Sequence, residues 1–547
     1  MSTRSLRLAV QSLGIVLLLA NILSSQSVTI GGAVKDSYTN TMIESVRVNI
    51  KQLSDPSKQY TVFTSSAGQW SFTFQSVGVE QNNITPHSFT LSQNYPNPFN
   101  PSTAIAFSIP SSGDVRMFVH NILGQLIDMR TYSLNAGDYN VRWYGKGAAG
   151  PLFYTMQFGG RSETKKMVQL DGGSGDGFGD VTMTGGVARA LAKISLSDLF
   201  VSISKFGYEP DSSVVASVNN SAVNFSAVTI HRRAFVMDLH NDIAETMING
   251  YQLGVRHTTN QSDIPRFFDG GIDAQMIVLW PDPNVAAPYQ QTLQMYDTCM
   301  AQFSRNSGTI VQARASSEIQ SANALGKIAA VLCVEGGIAI EEDLNKLINL
   351  YDLGARYFTI TWNNSTSWGT SAADPLSTTK GLSDFGKQVI RTMDSLGMII
   401  DISHTGIKTI EDILTVTKNP IIASHSGVRK LREHTRNLTD AQIIAIANSG
   451  GVIGVVFYTS FISTATAANV NIDTVIKHID YIKNLVGIDH VAIGSDYDGG
   501  ITAPVGLENV SKLQNLTMAL LRKGYSPADV RKILGQNYLR VFKAVCK

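Results

Sequence analysis

The stretch AFVMDLHND, residues 234–242, decides how the chain is read. An apolar run stops at Asp238-Leu239-His240-Asn241-Asp242, and because alternate side chains of a strand share a face, His240 and Asp242 point the same way. Two metal-ligating residue types thus converge at one strand end. Further apolar runs follow: AQMIVLW, IAAVLCVE, RYFTITW, GMIIDISH, PIIASH, GVIGVVFY and HVAIGSD. Between them lie amphipathic stretches such as EEDLNKLINLYDLG, LSDFGKQVIRTMDSLG and NIDTVIKHIDYIKNLVG, each closing on a glycine suited to a helix C-cap. Near-continuous apolar strands, each followed by a helix, predict an α/β fold, a (β/α)8 TIM-type barrel over 232–547, with a doubly wound open sheet as the alternative.

If the barrel holds, catalytic groups belong at the C-terminal ends of its strands. There the sequence places His240 and Asp242 after the first run, Glu335 at the end of IAAVLCVE, His404 after GMIIDIS, His425 after PIIAS and Asp496 after HVAIGS. One inward polar residue at a strand end is ordinarily structural. Six at the mouths of five strands need a metal or mutual pairing to offset their desolvation. Imidazoles with carboxylates suit zinc better than magnesium or calcium, and five ligands fit two ions sharing one carboxylate. Such a pair generates hydroxide from a bridging water near neutral pH and polarises a carbonyl.

Upstream the texture differs. Residues 28 to about 230 carry short alternating runs such as Val46-Arg47-Val48-Asn49-Ile50 and Gln69-Trp70-Ser71-Phe72-Thr73-Phe74 between Gly, Ser, Asn and Pro, the pattern of small all-β sandwiches. Arg4 and Arg7, the apolar run Leu13 to Leu23 and Ser25-Gln26-Ser27 read as a signal peptide over 1–27, so the chain is expected to be exported, either secreted, on the cell surface or periplasmic. That run is about half the ~20 residues a membrane span needs. Charge is balanced, 44 Lys+Arg against 43 Asp+Glu, which gives no footing to nucleic acid as a partner. Three cysteines, Cys299, Cys333 and Cys546, make no disulfide framework.

Several motifs carry resemblances. LSQNYPNPFNPST (91–103) with FVHNILGQLI, AGDYNVRWYG and TKKMVQL resembles the immunoglobulin-like sorting and surface-attachment domain of type IX secretion substrates. The flanking VTIGGAVKDSYTNTMIESVRVNI, YTVFTSSAGQWSFTF and VSISKFGYEPDSS resemble a carboxypeptidase regulatory-like (transthyretin-like) sandwich. We therefore expect a discontinuous sandwich, 28–87 plus 188–230, with the sorting-like module inserted at 88–171 and Gly-rich 172–187 as a flexible return linker; consecutive β modules are the alternative. These modules imply contact with secretion machinery or a cell surface.

The barrel resembles the membrane (renal) dipeptidase family of zinc peptidases through MDLHND, VEGG, LGARYFTITW, IDISHTG, ASHSGVR followed by TRN, GSDYDGG and GQNYLRVF. The resemblance implies that His240 and Asp242 bind a first Zn2+, Glu335 bridges, and His404 and His425 bind a second. Asp496 matches the acid/base carboxylate. Arg436 matches the residue that holds the substrate's terminal carboxylate, with Arg429 and Arg432 competing. Trp362 stands where the best-known members carry a substrate-contacting histidine. The implied activity is hydrolysis of dipeptides, including those with a C-terminal D-residue, with homodimerisation left open. Another amide or lactone substrate, or an inactive surface binding module, are the alternatives.

Overall fold

The computed structural model describes residues 27–75, 88–186, 198–216 and 220–546. Of the signal-peptide stretch, 1–26 lie outside the described residues, as do the expected domain boundaries near 87 and 188. Two compact units divide the chain, one ending at Ala227 and the other comprising Gly207–Glu209 and Val228–Lys547.

Among the described residues the N-terminal unit holds four four-stranded sheets. In one, Ser27–Asp36 pairs antiparallel with Gln69–Gln75 and parallel with Ser221–Ala222 and Phe225–Ala227. In another, Leu199–Ser204 lies between Arg47–Gln52 and Asp211–Val215. Strands from both sides of the 88–186 segment thus share sheets. That segment forms its own pair of sheets around a core including Phe107, Trp143, Tyr154 and Phe178. Its strand Ser102–Ile109 alternates half-buried and buried side chains at period two, as a face packed on a core requires.

The Gly-rich stretch expected as a linker is instead a strand, Gly173–Gly186, paired with Gly137–Gly147. Its glycines answer a steric demand rather than a need for flexibility. A Cβ on Gly173 would fall 2.1 Å from the Gly145 carbonyl oxygen, and Gly177 sits at φ +82°.

In the C-terminal unit eight parallel strands form a ring: β1 (Met237–Asp238), β2 (Ala274–Leu279), β3 (Ile328–Glu335), β4 (Ala355–Thr359), β5 (Ile399–Asp401), β6 (Ile422–Ser426), β7 (Val452–Val455) and β8 (Val491–Ile493). Backbone bonds Leu239 N–H to Ile493 O and Asp242 N–H to Tyr497 O bring β1 back to β8. The strands are buried on both faces, which is why they read as unbroken apolar runs. A short outer strand, Ile310–Gln312, also pairs with β3; three residues carry too little pattern to be read from sequence.

Helices α1 (Pro288–Arg305), α2 (Leu344–Leu353), α3 (Asp384–Leu396), α4 (Ile407–Val416), α5 (Asp440–Asn448) and α6 (Ile472–Val486) connect successive strands from β2 to β8. Ser383 caps α3 by accepting from Gly386 N–H, and Thr439 with Gln442 forms a capping box on α5. Gly354 and Gly397 end α2 and α3 in the left-handed conformation, at φ 111° and 80°, as their positions in the sequence predict. No helix among the described residues is long and apolar enough to cross a membrane. All three cysteines are free and buried.

Two buried histidines outside the barrel mouth couple stability to pH. His231 bridges Thr517 Oγ1 and the Gly270 carbonyl, each at 2.7 Å, while His478 accepts from Val428 N–H and donates to Ile462 O. Burial pushes both imidazoles down to about 4. Folded-state values below the ordinary 6.5 mean that the unfolded chain takes up protons first, so this stability is complete above pH 6.5 and is lost as pH falls towards 4. Each contributes a slope of about 1.4 kcal/mol per pH unit in that window. His231→Gln is expected to flatten the stability–pH curve between pH 6.5 and 4 by one proton, measured by denaturant unfolding across pH; an unaltered slope would contradict it.

Candidate active site

At the C-terminal end of the ring the ends of β3 and β6 and the loops after β1, β5 and β8 bring His240, Asp242, Glu335, His404, His425 and Asp496 to one place. All six are buried. Glu335 is the last residue of β3, and His425 lies within β6. His404 and Asp496 each follow their strand by three residues and sit at φ 63° and 64°, conformations uncommon outside glycine that turn these side chains back over the barrel. Asp242 and Asp496 also need Gly499 bare: a Cβ there would lie 2.5 Å from Asp242 Oδ2 and 2.8 Å from Asp496 Oδ1.

The atoms fall into two overlapping groups. Glu335 Oε1 lies 3.2 Å from His404 Nε2 and 3.6 Å from His425 Nε2, and these two nitrogens are 3.1 Å apart. On the other side His240 Nε2 lies 3.5 Å from Asp242 Oδ2 and 3.7 Å from Glu335 Oε2. Ligand atoms of His240, Asp242 and Asp496 all come within 4.8 Å of one another, so Asp496 is near enough to join that group. Glu335 faces both.

A metal fits this donor set on three observations. His240 Nε2, Asp242 Oδ1 and Glu335 Oε1 are buried without a hydrogen-bond partner, an expensive arrangement unless a cation completes it. The Nδ1 atoms of His240, His404 and His425 are all occupied, by Tyr357 Oη, Asn363 Oδ1 and Ser424 Oγ, which leaves each Nε2 facing the carboxylates. His404 Nε2 and His425 Nε2 then face one another as lone pairs, which repel unless a positive charge lies between their directions.

The protein's own electrostatics are correspondingly divided. Burial, with the positive charges of Arg436 and His240 nearby, holds the His404 and His425 imidazoles well below their ordinary value. Burial would also push His240 down, but the Asp242 and Glu335 carboxylates outweigh it and raise it well above 6.5. Burial pushes Glu335 up, and pushes Asp496 well up with further help from the Asp242 and Glu335 charges. Such opposed shifts at one cleft mark a functional site.

Among the three arginines after β6, Arg436 is the buried one. Its Nη2 donates to the His425 carbonyl at 3.2 Å, its guanidinium stacks 5.4 Å from the Phe461 ring, and its Nε has no partner. Burial lowers it to about 10, still charged at neutral pH. Arg429 is spent on the His434 and Thr435 carbonyls, and Arg432 on those of Ser463 and Glu433. Trp362 lies at the cleft wall, edge-on to Trp280 with ring centroids 4.9 Å apart. The cleft, of about 170 Å3, is lined by the ionisable Asp242, Glu335, His404 and Asp496 and by the aromatic Trp280, Trp362, Tyr458 and Phe461. A larger depression of about 800 Å3 along α1 has no comparable set of ligating groups, so size alone does not mark the site.

Tyr357, Ser424, Asn363, Trp280 and Asp401 were not singled out from sequence. Asp401 and Ser424 lie inside IDISHTG and ASHSGVR. For Asp401 the signal was there, an ionisable residue inside an apolar run as at His240.

A parallel barrel with imidazoles and carboxylates converging at its C-terminal mouth defines a metal-dependent hydrolase. Residues 225–547 match the model of the membrane dipeptidases, peptidase family M19, and the chain belongs to that family of metallopeptidases. Among solved structures it is similar to a family M19 metallopeptidase titled dipeptidase AC (26% identity, TM-score 0.55, covering 57% of this chain and 99% of that one). A Rhodobacter sphaeroides metallopeptidase liganded with a phosphinate mimic of the dipeptide L-Ala-D-Ala matches with the same values. The probable dipeptidase PvdM of Pseudomonas aeruginosa, at 23% identity and TM-score 0.55 over 58% of this chain and 96% of its own, shares the fold.

The raised Asp496 carboxyl carries a stability cost in metal-free protein. Because its folded value exceeds the ordinary 3.8, the cost is absent at low pH and grows as pH rises above about 4. Asp496→Asn, a residue at ease at positive φ, is expected to stabilise the chelator-treated protein at pH 7, and less so at pH 4. Thermal unfolding in chelator checks this; a lowered midpoint would contradict it.

Proposed function

We propose that this chain is an exported, zinc-dependent dipeptidase holding two ions, with His240 and Asp242 on the first, His404 and His425 on the second and Glu335 shared. The unpartnered buried ligand atoms around Glu335 are the observation that carries this reading. Zinc is favoured by the imidazole-rich donor set. When bound, the metal pair supplies Lewis-acid polarisation of the scissile carbonyl and acidifies water near neutral pH.

The chain's own residues do the rest. Arg436 presents a charged, preorganised fork with a free Nε, suited to a substrate's terminal carboxylate. Asp496, whose carboxylate stands with the ligand atoms of His240 and Asp242, receives a proton at its carboxylate and delivers it to the leaving amine. The small cleft restricts substrates to short peptides. The aromatic wall of Trp280, Trp362, Tyr458 and Phe461 favours an apolar substrate side chain, and Trp362 has no charge to contribute where the best-known members carry histidine. Acceptance of a C-terminal D-residue is supported by the L-Ala-D-Ala mimic bound to the Rhodobacter sphaeroides relative. The basic and apolar N-terminal run supports export, with the N-terminal sandwiches serving secretion or surface attachment.

The test is a panel of L,L and L,D dipeptides, free and C-terminally amidated, with wild type and Arg436→Ala. Loss of the charge-assisted contact, ~1.5 to 3 kcal/mol, lowers kcat/KM on free dipeptides about ten- to a hundredfold, with far smaller losses on amidated ones. Equal losses on both would remove Arg436 from this role. Absence of dipeptide hydrolysis by wild type, with turnover of another amide or a lactone, would favour that alternative substrate class.

A further inference from the structure

Resting on the metal reading above, we propose that Asp401, acting through Ser424, is a positioning residue that fixes which nitrogen of His425 carries the proton and so sets the affinity of the metal centre. Asp401 ends β5 and is fully buried. Four donors converge on it. Ser403 N–H and Ser424 N–H reach Oδ1 at 3.1 and 2.8 Å, and the hydroxyls of Thr359 and Ser424 reach Oδ2 at 2.6 Å each.

A carboxylate oxygen accepts and a serine hydroxyl has one proton to give, so the Ser424 proton is committed to Asp401. Towards its other neighbours Ser424 Oγ can only accept. Those neighbours are His425 Nδ1 at 2.9 Å, the nearest, with His240 Nδ1 and the Ser403 hydroxyl each at 3.2 Å. His425 Nδ1 must therefore carry hydrogen, and the neutral ring keeps its lone pair on Nε2, directed at Glu335 and His404.

The two imidazoles depend on Ser424 unequally. His240 Nδ1 has a second partner in Tyr357 Oη at 2.9 Å, whose own hydrogen can go to the Leu239 carbonyl at 3.0 Å. His425 Nδ1 has Ser424 alone among the hydrogen bonds of this network. Removing the Ser424 hydroxyl should free the His425 tautomer while His240 Nδ1 keeps its bond to Tyr357 Oη, whereas removing the Tyr357 hydroxyl takes away that bond and leaves the one to His425.

The measurement is 15N NMR of histidine-labelled, metal-free full-length protein, together with zinc affinity by chelator competition, in wild type, Ser424→Ala and Tyr357→Phe. Wild type is expected to show His425 protonated at Nδ1. Ser424→Ala should show mixed tautomers at His425, with zinc bound 10- to 100-fold more weakly. Wild-type His425 protonated at Nε2 overturns the proposal without need of any variant. So does Ser424→Ala with unchanged tautomer and unchanged zinc affinity, while wild type binds zinc. Wild type that binds no zinc overturns the metal reading itself, and this proposal with it.

Discussion

Burying imidazoles and carboxylates together at the mouth of the barrel is the constraint on which the rest of the C-terminal unit depends. Taken out of water, each ionised group costs several kcal/mol unless something offsets it. The fold supplies part of the offset. The Nδ1 atoms of His240, His404 and His425 are anchored, Arg436 is held on the His425 carbonyl, and Asp401 and Asp238 are saturated with donors from Thr359, Ser424, Ser495 and Gln275. It leaves the Nε2 atoms and the Glu335 and Asp242 oxygens for a cation. The left-handed His404 and Asp496 and the bare Gly499 are further local costs accepted to aim these groups inward.

The barrel meets this constraint because its strands are buried on both faces. Side chains such as Val331, Cys333 and Ile399 fill the interior beneath the site, so the polar groups stand on a packed floor rather than on loops alone. Gly354 and Gly397, which end α2 and α3, fix where β4 and β5 begin.

The eight strands and their polar ends were legible because a buried parallel strand leaves an unbroken apolar run, and a charge at its end stands out against it. Six strand-end residues named from sequence lie together in the structure. What was not legible had physical reasons too. Asp401 and Ser424 act through hydrogen bonds between strands distant in sequence, and Arg436 is set apart from Arg429 and Arg432 only by what each already bonds. GGSGDGFGD looked like a linker because composition cannot distinguish glycine used for freedom from glycine used for close approach.

Metal stoichiometry tests the central claim most directly. The full chain, dialysed with zinc and then freed of excess metal, should retain two ions by elemental analysis. Anomalous scattering from zinc-grown crystals should place both beside Glu335, one towards His240 and Asp242 and the other towards His404 and His425. Protein that retains no metal, or holds it only away from Glu335, would contradict the claim.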